Sequence, residues 1–155
     1  MAINPNTDFT VGQVLTAAEQ NRFPRGIVAY GESTTSIGAT AAETLSVTSS
    51  SFTAVANRYY KITYFEPVMI YATGTVQYID LNIRVTNLAG TLLQNAAFLL
   101  DSANRTAGTV SIVKTFTAGA TVVCGCFNPE GGGTASAFHA SNVLAQIIVE
   151  DLGPA

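Results

Sequence analysis

A chain of 155 residues and 16.2 kDa fits one ordinary domain and is long enough to bury about two-thirds of its unfolded surface. Only 11% of its residues are charged and the net charge is -3, which excludes the basic footprint of a nucleic-acid binder. Hydrophobic residues reach 48%, yet no apolar run approaches the roughly 18 residues that span a bilayer, so membrane insertion is not expected.

Residues 1–26 differ from the rest. Asn4-Pro5-Asn6 and Thr7-Asp8 are turn chemistry, because Pro presets φ and Asn bonds its own backbone. Thr16-Ala-Ala-Glu19 has the spacing of a capping box. The helix it would open can run only to about Arg22, since Pro24 disfavours the α conformation at Phe23. Phe9, Val11, Leu15 and Phe23 are too few to build a core and must dock on something. With Arg22 and Arg25, which can pair with an acidic neighbour, they are the candidate docking residues of an N-terminal arm.

From residue 27 to 155 the pattern is that of strands. Ile27 to Tyr30 is a short apolar run, and turn-rich residues follow from Gly31 to Gly38. Leu45 and Val47 alternate with Thr44, Ser46 and Thr48. Between Arg58 and Tyr64, Tyr60, Ile62 and Tyr64 share one face while Tyr59, Lys61 and Thr63 share the other. Pro67 predicts a bulge, or a second strand over Val68 to Ala72. The clearest alternation is Ile79, Leu81, Ile83 and Val85, facing inward, against Tyr78, Asp80, Asn82 and Arg84. Asn87-Leu-Ala-Gly90 is a hairpin connection to a strand over Thr91 to Leu100. Thr109 to Thr117, Ala120 to Phe127 and Asn142 to Glu150 complete the set, and Asp151-Leu-Gly-Pro-Ala155 is expected to stop the last strand. About eight strands with turn signals between them predict an all-β fold, an antiparallel β-sandwich of jelly-roll type, with at most one short helix in the arm.

Residues with chemistry are sparse. His139 is the sole histidine and has no acidic or thiol neighbour in sequence, so it is expected to be a surface or half-buried ring that binds no metal. Cys124-Gly-Cys126 places two thiols on one face of a strand. A bridge there is strained, and zinc pairs want wider spacing, so two free thiols packed in the core are expected. Gly131-Gly132-Gly133 lacks the Lys-Ser/Thr of a phosphate loop. Glu43 and Glu130 stand alone, and no Ser has a nucleophile-elbow context. The sequence predicts no enzyme, no cofactor and no metal site. Tyr59, Tyr60, Tyr64 and Tyr71 are expected to pack in core or interface rather than stack on sugars.

The charge deficit points outward. A monomer of this size exposes on the order of 7,000 Å², and free surfaces usually carry both charge signs in quantity, whereas interface cores lose charge. Coverage by further copies, or by a larger assembly, is therefore expected. Three segments bear on which assembly: Phe23-Pro-Arg-Gly-Ile-Val-Ala-Tyr30, Phe52-Thr-Ala-Val-Ala-Asn-Arg-Tyr-Tyr-Lys-Ile62 and Ile148-Val-Glu-Asp-Leu-Gly-Pro-Ala155. In this order they resemble recurrent pieces of small structural proteins of tailed bacteriophages, of the minor tail, fibre or head-decoration type. The stretch Leu15 to Arg25 resembles the leader by which such surface proteins attach to the particle. The resemblance implies a β-rich, trimeric, non-enzymatic part of the virion surface, assembled in the host cytoplasm, with capsid or tail proteins as partners. It supplies no catalytic residue. The alternative is a carbohydrate-binding adhesin module that recognises host-surface glycans.

Overall fold

In the computed structural model, the described residues are Gly12, Val14, 16–21, 23–73, 78–100 and 105–155. The inward aliphatics of one segment organise everything around them. Ile79, Leu81 and Ile83 are fully buried, as their alternation predicts, while Val85 at the strand's end is half-buried. They lie on β6 (Tyr78–Val85), which pairs with β7 (Leu92–Leu99) on one side and β10 (Val123–Glu130) on the other. Beyond β10 lies β3 (Thr44–Thr48), so one sheet runs β3-β10-β6-β7.

The facing sheet is built on β5 (Arg58–Thr73), which pairs with β12 (Ala145–Pro154) along one edge and β8 (Thr106–Lys114) along the other. β1 (Gly26–Ser33) adds outside β12, giving β1-β12-β5-β8. Every pairing is antiparallel. The two four-strand orders, with the first strand beside the last, are those of an eight-stranded jelly roll.

Pro67 does not split β5. Its missing N–H falls where β5 changes partner, from β12, which ends opposite Phe65, to β11 (Thr134–Ala137), which begins at Met69. The register against β8 shifts between Glu66 and Met69, so the predicted bulge is present within a continuous strand. β11 in turn carries β2 (Ile37–Thr40). A separate ribbon pairs β4 (Phe52–Ala54) with β9 (Gly119–Thr121). Beneath it Phe52, Tyr60 and Phe116 meet with ring centroids 5.5 to 6.0 Å apart. The last strand does not stop at Asp151. It continues to Pro154 through a bulge at Gly153, where φ is 102°.

Residues 92–99 form a strand although Leu, Gln and Ala there have no β preference, because pairing to β6 decides the matter. In the arm, α1 (Ala17–Gln20) is one turn long, opened after Thr16, with Gln20 N–H donating to the Thr16 carbonyl at 3.0 Å. Phe23 N–H donates to the Gln20 carbonyl at 3.2 Å, and Pro24 ends the helical geometry.

Candidate functional site

β5 carries a buried charge at each end of its inward face. The face reads Arg58, Tyr60, Ile62, Tyr64, Glu66, and all five are buried. β12 runs Ala145, Ile147, Val149, Asp151 inward, and it too ends on a buried charge. Buried charges persist only when paired and hydrogen-bonded, and both are.

At one end Arg58 meets Asp151. Arg58 Nε donates to Oδ1 at 3.0 Å and to Oδ2 at 2.8 Å, and a terminal guanidinium nitrogen donates to Oδ1 at 2.8 Å. Gly153 N–H also donates to Asp151 Oδ1, at 2.8 Å. Two further guanidinium hydrogens go to the arm, to the carbonyl of Asn21 and to that of Phe23, the latter at 2.6 Å. Arg25 lies 3.9 Å from Asp151. The end of the arm is thus tied to its own sandwich.

Of the six candidate docking residues, Phe9, Val11, Leu15 and Arg22 lie outside the described residues. Phe23 is 38% exposed while its carbonyl is held by Arg58. Arg25 finds its acidic neighbour within the same chain, which the sequence left open.

At the other end the sequence expectation for His139 is overturned. The ring is fully buried and faces Glu66, also fully buried, with Nε2 2.5 Å from Oε1. The acidic partner lies 73 residues away in sequence, so no local motif could show it. Nδ1 sits 2.7 Å from the Thr35 carbonyl, which can only accept, so Nδ1 carries a hydrogen. The other Glu66 oxygen accepts from the Ser46 hydroxyl at 2.6 Å and the Tyr64 phenol at 2.7 Å. Two bare lone pairs would repel across 2.5 Å, so a proton lies between Nε2 and Oε1. Burial alone would push the His139 pKa down, but the hydrogen bond and charge of Glu66 outweigh it and raise the pKa above its ordinary value. Burial first, and the Glu66 charge second, push the Tyr64 phenol well above its ordinary value. This network joins β3, β5 and the segments flanking β2 and β11, and so pins the two sheets together.

A cleft of about 460 Å³ opens beside it, lined by Thr35, Ser36, Ile37, Thr40, Leu45 and Ser46 among others. Four of its hydroxyls are engaged inside the chain. Ser36 donates to the His139 carbonyl, Thr40 and Thr44 donate to the Ala42 carbonyl, and Ser46 donates to Glu66.

The cysteines are free and buried, with Sγ atoms 3.9 Å apart, but they do not join the apolar core. On β10 the core face belongs to Val123, Gly125 and Phe127. Alternation turns Cys124 and Cys126 to the outer face. There Arg84 and Glu43 form a bidentate pair at 2.8 and 2.9 Å, and Asn82 donates to Glu43 at 2.7 Å. Glu43 is therefore not isolated. Burial opposes its ionisation, yet Arg84 and Asn82 prevail and hold its carboxyl below its usual value. The hydrogen bond between the thiols lowers the Cys124 pKa and raises that of Cys126.

The surface also carries large apolar side chains. Leu99 is 76% exposed, Ile27 64%, Val113 49% and Leu92 45%. Comparison with known proteins finds no matching protein family and no matching curated sequence. Among solved structures, the chain is similar to the CBM22-1 xylan-binding domain from Paenibacillus barcinonensis Xyn10C, with 10% identity, a TM-score of 0.35, and 81% of this chain and 87% of that one covered. It is also similar to a structure of infectious bursal disease virus, Gx strain, at 14% identity and TM-score 0.35, covering 86% of this chain but 40% of that one.

Proposed function

We propose that this protein is a non-enzymatic structural component of a tailed-phage virion: a self-associating surface part, such as a head-decoration protein or short fibre, held on the particle through its N-terminal arm. The observation that carries the reading is apolar surface left on a charge-poor sandwich, above all Leu99, Ile27, Val113 and Leu92. A freely soluble domain normally surrounds such side chains with charges of both signs, and this chain has few to offer. The only histidine has both ring nitrogens engaged and its side chain closed to solvent, so it serves the fold rather than a substrate. On this reading the partners are further copies of the chain and a capsid or tail protein.

The test is occupancy on purified particles. Full-length protein should co-sediment with virions, and a chain lacking residues 1–22 should be absent from them. Equal occupancy of the two chains would remove the arm from the attachment. Failure of the full-length protein to co-sediment, combined with binding to host-surface glycans, would replace this reading by that of an adhesin module.

A further inference from the structure

Cys124 and Cys126 are the only cysteines of the chain, and the structure gives them no place in the apolar core. Positions two apart on a strand stand about 6.6 Å apart along it, yet the two Sγ atoms are 3.9 Å apart. The side chains therefore lean toward each other. The backbone beneath them is held on both sides. Cys124 and Cys126 lie opposite Arg84 and Asn82 of β6, and opposite Thr48 and Leu45 of β3. On the inner face the Tyr64 ring fills the space that a Gly125 Cβ would need, so β10 cannot shift inward. The two sulfurs are thus placed before any ligand arrives.

The surroundings decide which ligand fits. A metal–thiolate bond is about 2.3 Å long, so one ion can bridge sulfurs up to about 4.6 Å apart. Zinc draws three or four ligands from Cys, His and carboxylates, and among the described residues this face supplies two. Both Glu43 oxygens accept from Arg84, and one of them also from Asn82. The Asn82 amide oxygen is buried without a partner, but it is a hard, neutral donor. Cu+ and Ag+ differ from zinc: soft and monovalent, they favour thiolate sulfur and are satisfied by two. Two thiolates around one such ion leave a single negative charge. The four strands of this sheet hold one basic residue, Arg84, and it stands directly opposite Cys124. Little is given up on binding. Among the described residues the thiols bond only to each other and, at 3.7 Å, to the Arg84 carbonyl, and S–H is a weak donor.

We propose that Cys124 and Cys126 together bind one soft monovalent cation of the Cu+ and Ag+ class, held between the two sulfurs. Two S–H bonds break, two metal–sulfur bonds form, and two protons pass to solvent. No electron is transferred, so no oxidant is required. The proposal stands apart from the virion reading, because β10 holds the sulfurs in place whether or not the chain assembles.

The test uses the full chain and Ag+, the air-stable member of the class, in chloride-free buffer. The wild type should take up one Ag+ per chain and release two protons for it, counted by pH-stat titration. C124S and C126S should each release at most one proton and bind at least tenfold more weakly. Unfolded chains with thiols also bind silver, so the melting temperature is the second readout. One equivalent should raise it by several degrees in the wild type, because only the folded chain presents both sulfurs at one point. The same addition should leave C124S unchanged. Two ions per chain with one proton each would overturn the site, as would an Ag+ that lowers the wild-type melting temperature. Zn2+ should have no effect on melting, and a rise equal to that from Ag+ would overturn the two-sulfur assignment. X-ray absorption at the silver edge checks the wild type without any substitution. Two sulfur neighbours are expected, and nitrogen or oxygen in the shell would overturn the proposal.

Discussion

His139 and Glu66 hold the proton between them at a place no water reaches, and this fixes how the protein responds to pH. The folded pKa of His139 lies above its unfolded value. The pair's stabilisation is therefore complete below the unfolded value, about 6.5, and is lost as pH rises through the raised folded value. The melting temperature should fall across that window, and the slope should vanish in H139A. Removing one partner of a buried pair costs roughly 3–5 kcal/mol, which for a chain of this length lowers melting by roughly 10 °C. A melting profile that stays flat from pH 6 to 9 would contradict the raised His139 pKa. Gly125 makes a second prediction. A Cβ there would lie 2.5 Å from the Tyr64 ring, and that ring cannot retreat because its hydroxyl is held by Glu66. G125A should cost about 1–3 kcal/mol by overpacking, measurable as a lowered midpoint in urea. Both charged ends of β5 were within reach of the sequence. Extending the Tyr60, Ile62, Tyr64 alternation by one step each way lands on Arg58 and Glu66, and a charge at an inward position announces a partner. The partners themselves were not legible, since Asp151 and His139 arrive from distant strands.

At the level of elements, the arm is less detached than its sequence suggests. Its apolar residues are too few for a core, but two of its backbone carbonyls accept hydrogen bonds from Arg58. Hydrogen bonds to a charged group are worth about 1.5–3 kcal/mol. Deleting residues 1–22 removes the Asn21 acceptor and should lower the melting temperature by several degrees while leaving the strand content intact. A deletion that melts like the full chain would show that the tie at Asn21 contributes nothing. Stability and particle occupancy then report different parts of the same segment. The short strands β2, β4 and β11 escaped sequence reading, and β9 was merged with β10 in one strand over Ala120 to Phe127, for a common reason. Three or four residues, mostly Gly, Ala, Ser and Thr with at most one large apolar residue (Ile37 in β2, Phe52 in β4), carry almost no hydrophobic period, and only pairing to another strand makes them β. β6 was legible because eight residues alternate cleanly, and Pro67 was legible as an interruption, although it marks a change of neighbour and not an end.

Across the whole molecule, the strand order was beyond the sequence even where the strands were not. Alternation shows which face of a strand is inward; it says nothing of which strand lies alongside. The order found places β12, the last ten-residue strand, between β1 and β5. Its residues Ile147, Val149 and Asp151 fill inward positions that nothing else can take. Until β12 is in place, β1 therefore lacks its partner in this sheet and Arg58 lacks its carboxylate. Closure of this sheet is thus a long-range step, and any change that keeps β12 from docking leaves β1 unpaired and the Arg58 guanidinium uncompensated.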